Sequence, residues 1–111
     1  MRQITYEIKQ AFELRVSKTI NNTRTDGQSV WLHGNRIIHR DELGEIWVTL
    51  SNWPTPTTRE RINGIAPHVS IWQRNHVQYI SGIRHQPEVQ IELDDSIWIN
   101  TITGQQKQTI N

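Results

Sequence analysis

The run Trp53-Pro54-Thr55-Pro56-Thr57-Thr58-Arg59-Glu60-Arg61 brings together groups suited to holding a phosphate. Thr57 and Glu60 are spaced as a capping box: the Thr57 hydroxyl accepts from the Glu60 amide, and the Glu60 carboxylate returns to the Thr57 amide. This predicts a helix N-terminus, whose unpaired amides and positive dipole end attract anions. Thr55, Thr57 and Thr58 add hydroxyl donors, and Arg59 and Arg61 add charge-assisted ones. Trp53, just upstream, offers a ring face for a base. A mononucleotide or a pyrophosphate would be satisfied by this set. Plain helix capping, with prolines stiffening the approach, uses the same residues, and the sequence leaves both roles open.

A second group of candidates lies on strands. If Val30, Leu32, Ile37, Ile46, Val48 and Leu50 face a core, alternation sends Trp31, His33, Arg36, Ile38, Arg40, Trp47 and Thr49 to the other face. Trp31, Arg36 and Trp47 would there form a platform on which bases stack, each contact worth about 1–3 kcal/mol. The alternative is a protein cover, from an amino-terminal helix or a second subunit, with arginine stems packed over the rings.

Metal and catalytic chemistry find little footing. None of the five histidines is spaced i, i+4 on a helix, so no metal centre is expected. His39-Arg40-Asp41 mimics the start of a kinase catalytic loop, but Ile46 stands where that pattern needs its metal-binding Asn. Asp94-Asp95 is more simply a turn than a carboxylate pair, because adjacent strand residues point to opposite faces. With no nucleophile motif and no glycine loop for a triphosphate, the expectation is a non-enzymatic binding protein without a cofactor.

The elements that must position these residues are mostly strands. Ile, Val and Thr total 33 residues against seven for Ala and Leu, which favours pleated, half-buried surfaces. Ile4, Ile8, Ala11, Phe12 and Val16 recur at helical spacing and predict a helix over about 4–17, although Ile4, Tyr6 and Ile8 also alternate as a strand would. A polar loop, 21–27, leads to a hairpin turning at Gly34-Asn35, which sets His33 opposite Arg36, Leu32 opposite Ile37 and Trp31 opposite Ile38. A turn at 41–44 and a strand over 45–50 complete a meander. The capped helix stops at Asn63-Gly64. A second hairpin joins 69–72 to 77–80 around Arg74-Asn75-His76. Val89, Ile91 and Leu93 then pair with 96–103 as a third hairpin, and 104–111 is a polar, frayed tail. The whole is one α+β domain over 1–111: an N-terminal helix segment (1–20), a β-rich core (21–82), a C-terminal hairpin (83–103) and the tail.

Composition bounds the rest. At 111 residues, 34% hydrophobic and with a mean hydropathy of −0.66, the chain has a thin core, and a homo-oligomer, most simply a dimer, is expected to bury more. No apolar run approaches the ~18 residues of a membrane span, and the first residues lack a signal peptide's apolar stretch. The absence of Cys suits a reducing cytoplasm. A net charge of +1 excludes a polycationic nucleic-acid coat. The charge is polarised, with seven Lys/Arg against three Asp/Glu in residues 1–40. That basic third suits phosphate or the acidic end of a neighbouring subunit.

Asn22-Thr23-Arg24-Thr25-Asp26-Gly27, Trp31-Leu32-His33-Gly34-Asn35 and the run from Trp53 to Gly64 together resemble a family of small tailed-phage proteins, over about residues 15–82. The pairing of Leu-His-Gly-Asn with Thr-Thr-Arg-Glu-Arg-Ile-Asn-Gly carries the resemblance, and the segment from Arg84 onward lies outside it. The resemblance implies a viral source and assigns no reaction. Taken with the residues, it leads to the expectation of a phage protein acting in the host cytoplasm. Its expected role is to sequester a phosphate-bearing nucleotide, a signal of host antiviral defence. Nucleic-acid binding through the basic third, or occlusion of a host defence protein, are the alternatives.

Overall fold

The computed structural model describes residues 2–110; Met1 and Asn111, the ends of the expected domain, lie outside the described residues. Among the described residues are helix α1 (Gln3–Glu13), strands β1 (Lys18–Ile20), β2 (Thr23–Thr25), β3 (Ser29–Leu32), β4 (Asn35–Arg40) and β5 (Ile46–Val48), and helix α2 (Pro56–Ile65). Strands β6 (Ser70–Arg74), β7 (Val77–Ser81), β8 (Ile91–Glu92), β9 (Trp98–Asn100) and β10 (Gln106–Lys107) follow. All pairings are antiparallel. One sheet runs β1-β2-β3-β4-β5-β9-β10 and the other β6-β7-β8. The fold is the expected α+β arrangement, with an N-terminal helix and a short capped helix.

Helix α1 buries Thr5, Ile8, Ala11 and Phe12, one stripe at helical spacing. This settles its first turn as helix. It stops at Glu13, short of the expected residue 17, because Arg15 takes a φ of 59° and turns the chain toward β1, leaving Val16 exposed. The expected polar loop at 21–27 instead contains β2. Thr23 and Thr25 are buried there, and the Thr25 hydroxyl donates to the Ser29 carbonyl while accepting from the Gly27 amide. Hydroxyls satisfied in this way can occupy core positions that an apolar count overlooks.

The β3–β4 hairpin turns one residue earlier than expected. His33 and Gly34 take φ of 51° and 82°, so Leu32 faces Asn35 and Trp31 faces Arg36. A register shift between Val30 and Trp31 then sets Val30 opposite Ile38. This bulge breaks strict alternation and lets both Ile37 and Ile38 reach the interior.

Helix α2 corrects the capping pattern. Its N-cap is Thr55, whose hydroxyl accepts from the Thr58 amide at 3.2 Å, and Pro56 occupies the first helical position. Proline is preorganised there and its missing N–H is not needed, so the cap falls on the residue before it. The Thr57–Glu60 box therefore does not form. The helix also runs through Asn63 and Gly64, neither of which adopts positive φ. Asn63 instead clamps strand β6, accepting from the Ile71 amide at 2.7 Å and donating to its carbonyl at 2.9 Å.

The second hairpin forms as expected, around Asn75 and His76. The third does not. Strand β8 joins β7 in the small sheet, whereas β9 inserts between β5 and β10 in the large one. The tail expected to fray supplies β10, which pairs Gln106 with Ile99 and Lys107 with Trp98. One apolar cluster runs from Ile8 and Phe12 through Val30, Ile38 and Val48 to Ile62, Ile80 and Ile99, joining both helices to both sheets.

Candidate functional site

Three segments converge on a cleft of about 420 Å³: the β3–β4 tip, the turn after β5 and the start of α2. Leu32, Ile37 and Leu50 make an apolar floor. Trp53 forms a wall and stays 58% exposed, an unusual setting for so large a ring. Its position is braced on several sides. The Trp53 amide donates to the Leu50 carbonyl across Ser51 and Asn52, both at positive φ, and the Asn52 amide donates to the Asp95 carbonyl. Left-handed Ser51 and Asn52 cost energy that the surrounding bonds must offset, a pattern common where a side chain has to be presented in one place.

Of the residues singled out from the sequence, Trp53, Thr55, Thr57 and Thr58 line this cleft together. The Thr55 and Thr58 hydroxyls lie 3.0 Å apart and bond to each other, and Thr58 is buried. Thr57, at the second helical position, has an amide without an acceptor in its own helix.

Arg59 and Arg61 do not line the cleft. Arg59 turns to the other side of α2, where its Nη1 donates to the Pro54 carbonyl at 2.9 Å and to Gln78 Oε1 at 3.0 Å. Arg61 is buried, and its guanidinium joins Thr5, Asn22, Thr23 and Glu60. Burial works to raise the Glu60 pKa, but the Thr5 and Arg61 hydrogen bonds and the Arg61 charge hold it below its ordinary value.

The chain's own C-terminal segment covers Arg36 and Trp47, and Arg24 of β2 packs over Trp31. Trp47 is buried beside β9; its Nε1 donates to Asp41 at 2.9 Å, and Lys107 of β10 lies 4.9 Å from its ring centroid. Arg36 lies over Trp98 and donates to the Ile110 carbonyl. Trp31 is half-buried under the Arg24 guanidinium, 3.8 Å from its centroid. Arg40, expected on the same face, is buried against Phe12. A strand inserted from 50 residues downstream leaves no local signal, so alternation alone could not show this cover.

The cleft also gathers His33, Asn35 and Ser51, which the sequence did not mark as ligand-binding. Their signal was the turn chemistry of the hairpin tip and of the segment before Trp53, since residues at turn apices are the ones that reach a neighbouring loop. Among the described residues, no group of three His, Asp or Glu could hold a metal ion, and no helix is long and apolar enough to cross a membrane.

The family model of the Kyanoviridae Gp96 protein matches residues 1–105. The chain belongs to this family of phage proteins. The Gp96 match runs past residue 84 and through β9, so residues 84–105 of the segment expected to lie outside a family resemblance fall within the matched region. No curated protein and no solved structure matches this Gp96-family chain.

Proposed function

We propose that this phage protein is a non-enzymatic binding protein that sequesters a small phosphate-bearing nucleotide, a signal of host antiviral defence, in the host cytoplasm. The supporting observation is the convergence of the exposed Trp53 ring and the Thr55–Thr58 helix start on one cleft. The base stacks on Trp53 over Leu32, Ile37 and Leu50, and the phosphate meets the Thr57 amide and hydroxyl at the positive end of α2. A volume of about 420 Å³ lies in the lower part of the range of small-molecule pockets and suits a mononucleotide-sized ligand. Sequestration needs affinity alone.

The test is a thermal-shift screen of ADP-ribose, mononucleotides, cyclic nucleotides and short oligonucleotides at two salt levels. A ligand at 100 times its Kd stabilises by about 2.7 kcal/mol, several degrees for a domain of this size. Trp53→Ala and Thr57→Ala should each weaken the responding ligand. Unchanged binding in both variants refutes this site. Shifts confined to oligonucleotides at low salt would favour nucleic-acid binding instead. Exposed Tyr6, Leu14 and Val16, on and just after α1, favour a homodimer; a concentration-independent monomer in light scattering refutes that part.

A further inference from the structure

We infer that the cleft selects adenine nucleotides of low charge, such as a singly charged cyclic monophosphate, and that Asn35 is the residue that reads the base. This rests on the nucleotide reading above and narrows it. The cleft is lined by Leu, Ile, Trp, Thr, Ser, Asn and His side chains, and no Lys, Arg, Asp or Glu is among them. The two arginines of α2 that would balance a polyphosphate are engaged elsewhere, Arg59 with Pro54, Gln73 and Gln78, and Arg61 in the buried cluster with Glu60. A triphosphate entering such a cleft would lose water without gaining charged partners. A single phosphodiester needs only the neutral donors present.

Asn35 opens β4 at the rim, half-buried, and its carboxamide has no hydrogen-bond partner among the described residues. A carboxamide presents one donor and one acceptor side by side, which complement adenine N7 and N6 in a single bidentate contact. Guanine presents two acceptors at that edge and leaves the amide oxygen unpaired. The backbone pairing of Leu32 with Asn35 across the His33-Gly34 turn places Asn35 at the rim, where its carboxamide is available to a ligand.

Isothermal titration calorimetry with adenosine, 3′,5′-cyclic AMP, 3′,5′-cyclic GMP and ATP tests this on the full chain. The expected order has cyclic AMP tighter than ATP by about tenfold or more, because ATP brings charges that the cleft cannot pair, and tighter than adenosine, which lacks the phosphate that meets Thr57. Cyclic AMP should exceed cyclic GMP by about tenfold, the scale of one bidentate base contact, and Asn35→Ala should abolish that preference. Equal or tighter ATP binding overturns the charge selection, and an adenine preference that survives Asn35→Ala overturns the role of Asn35. If Asn35→Ala fails to fold by its melting curve, Asn35→Ser carries the same comparison. Absence of binding by all four compounds overturns the nucleotide reading itself, an outcome distinct from binding in the wrong order.

Discussion

Replacing Arg61 with Met should destabilise the protein severely without touching the cleft. The guanidinium is 1% accessible, donates to Thr23 Oγ1 at 2.9 Å and to Thr5 Oγ1 at 3.1 Å, and pairs with Glu60. It thereby ties α2 to α1 and to β2. Met fills a similar length but supplies no donor, which leaves the Glu60 carboxylate and two interior hydroxyls short of partners. Removing one partner of a buried pair costs about 3–5 kcal/mol. The Glu60 side chain is 25% exposed, so water relieves part of this and the lower end applies. Unfolding entropy of about 2.1 cal/mol/K per residue, over 111 residues, gives about 230 cal/mol/K. A loss of about 3 kcal/mol then lowers Tm by roughly 13 °C. Urea titration should show a shifted midpoint with an unchanged slope. Arg61→Met combined with Glu60→Gln should recover about 1 kcal/mol or more, since the orphaned charge is gone. A loss below about 1 kcal/mol in the single variant, the scale of an ordinary substitution, would refute this account of the cluster.

The same cluster sets an acid limb. Because the folded pKa of Glu60 lies below its ordinary 4.5, its contribution is present above that value and is lost as pH falls through the folded pKa. Glu60→Gln should therefore flatten the fall in Tm below about pH 4.5, measured by calorimetry across an acid series. Gly82→Ala should prevent folding, because a Cβ there would stand 2.0 Å from the His68 carbonyl oxygen at a φ of 86°. Gly34→Ala meets open space and should cost only the left-handed penalty of about 1–2 kcal/mol, so the two melting curves separate steric from conformational cost. His76→Gly should raise stability by about 0.5–1 kcal/mol in urea titration, since Asn75 and His76 both hold positive φ, where Asn-Gly is favoured.

The fold class, the capped helix, the second hairpin and the cleft's Trp53–Thr58 wall were legible because each rests on residues close in sequence. Helical spacing from Ile4 to Phe12 located α1, and Asn75-His76 located a turn. The errors arise where two local preferences compete. Pro56 moved the cap from Thr57 to Thr55, and a positive φ at His33 moved a hairpin turn by one residue. Other features depend on contacts that no window spans. Arg61 reads as a surface cation until α1 and β2 close over it, and Trp47 reads as exposed until β9 arrives. Within the proposed site, Trp53 and the threonines were visible as a motif; His33 and Asn35 joined it only through the path of the hairpin.

That late arrival of β9 has a consequence during synthesis. Trp47 pairs with Asn100, 53 residues later in the chain. At translation rates of about 5–20 residues per second, the edge of β5 waits roughly 3–11 s for its neighbour. Through that interval Ile46, Trp47 and Val48, all buried in the finished protein, border a row of unpaired backbone groups. Adjacent nascent chains on one messenger would present the same edge to one another. Fast, crowded production should favour their pairing over folding, and a chain cut short before Trp98 would keep that edge open for good.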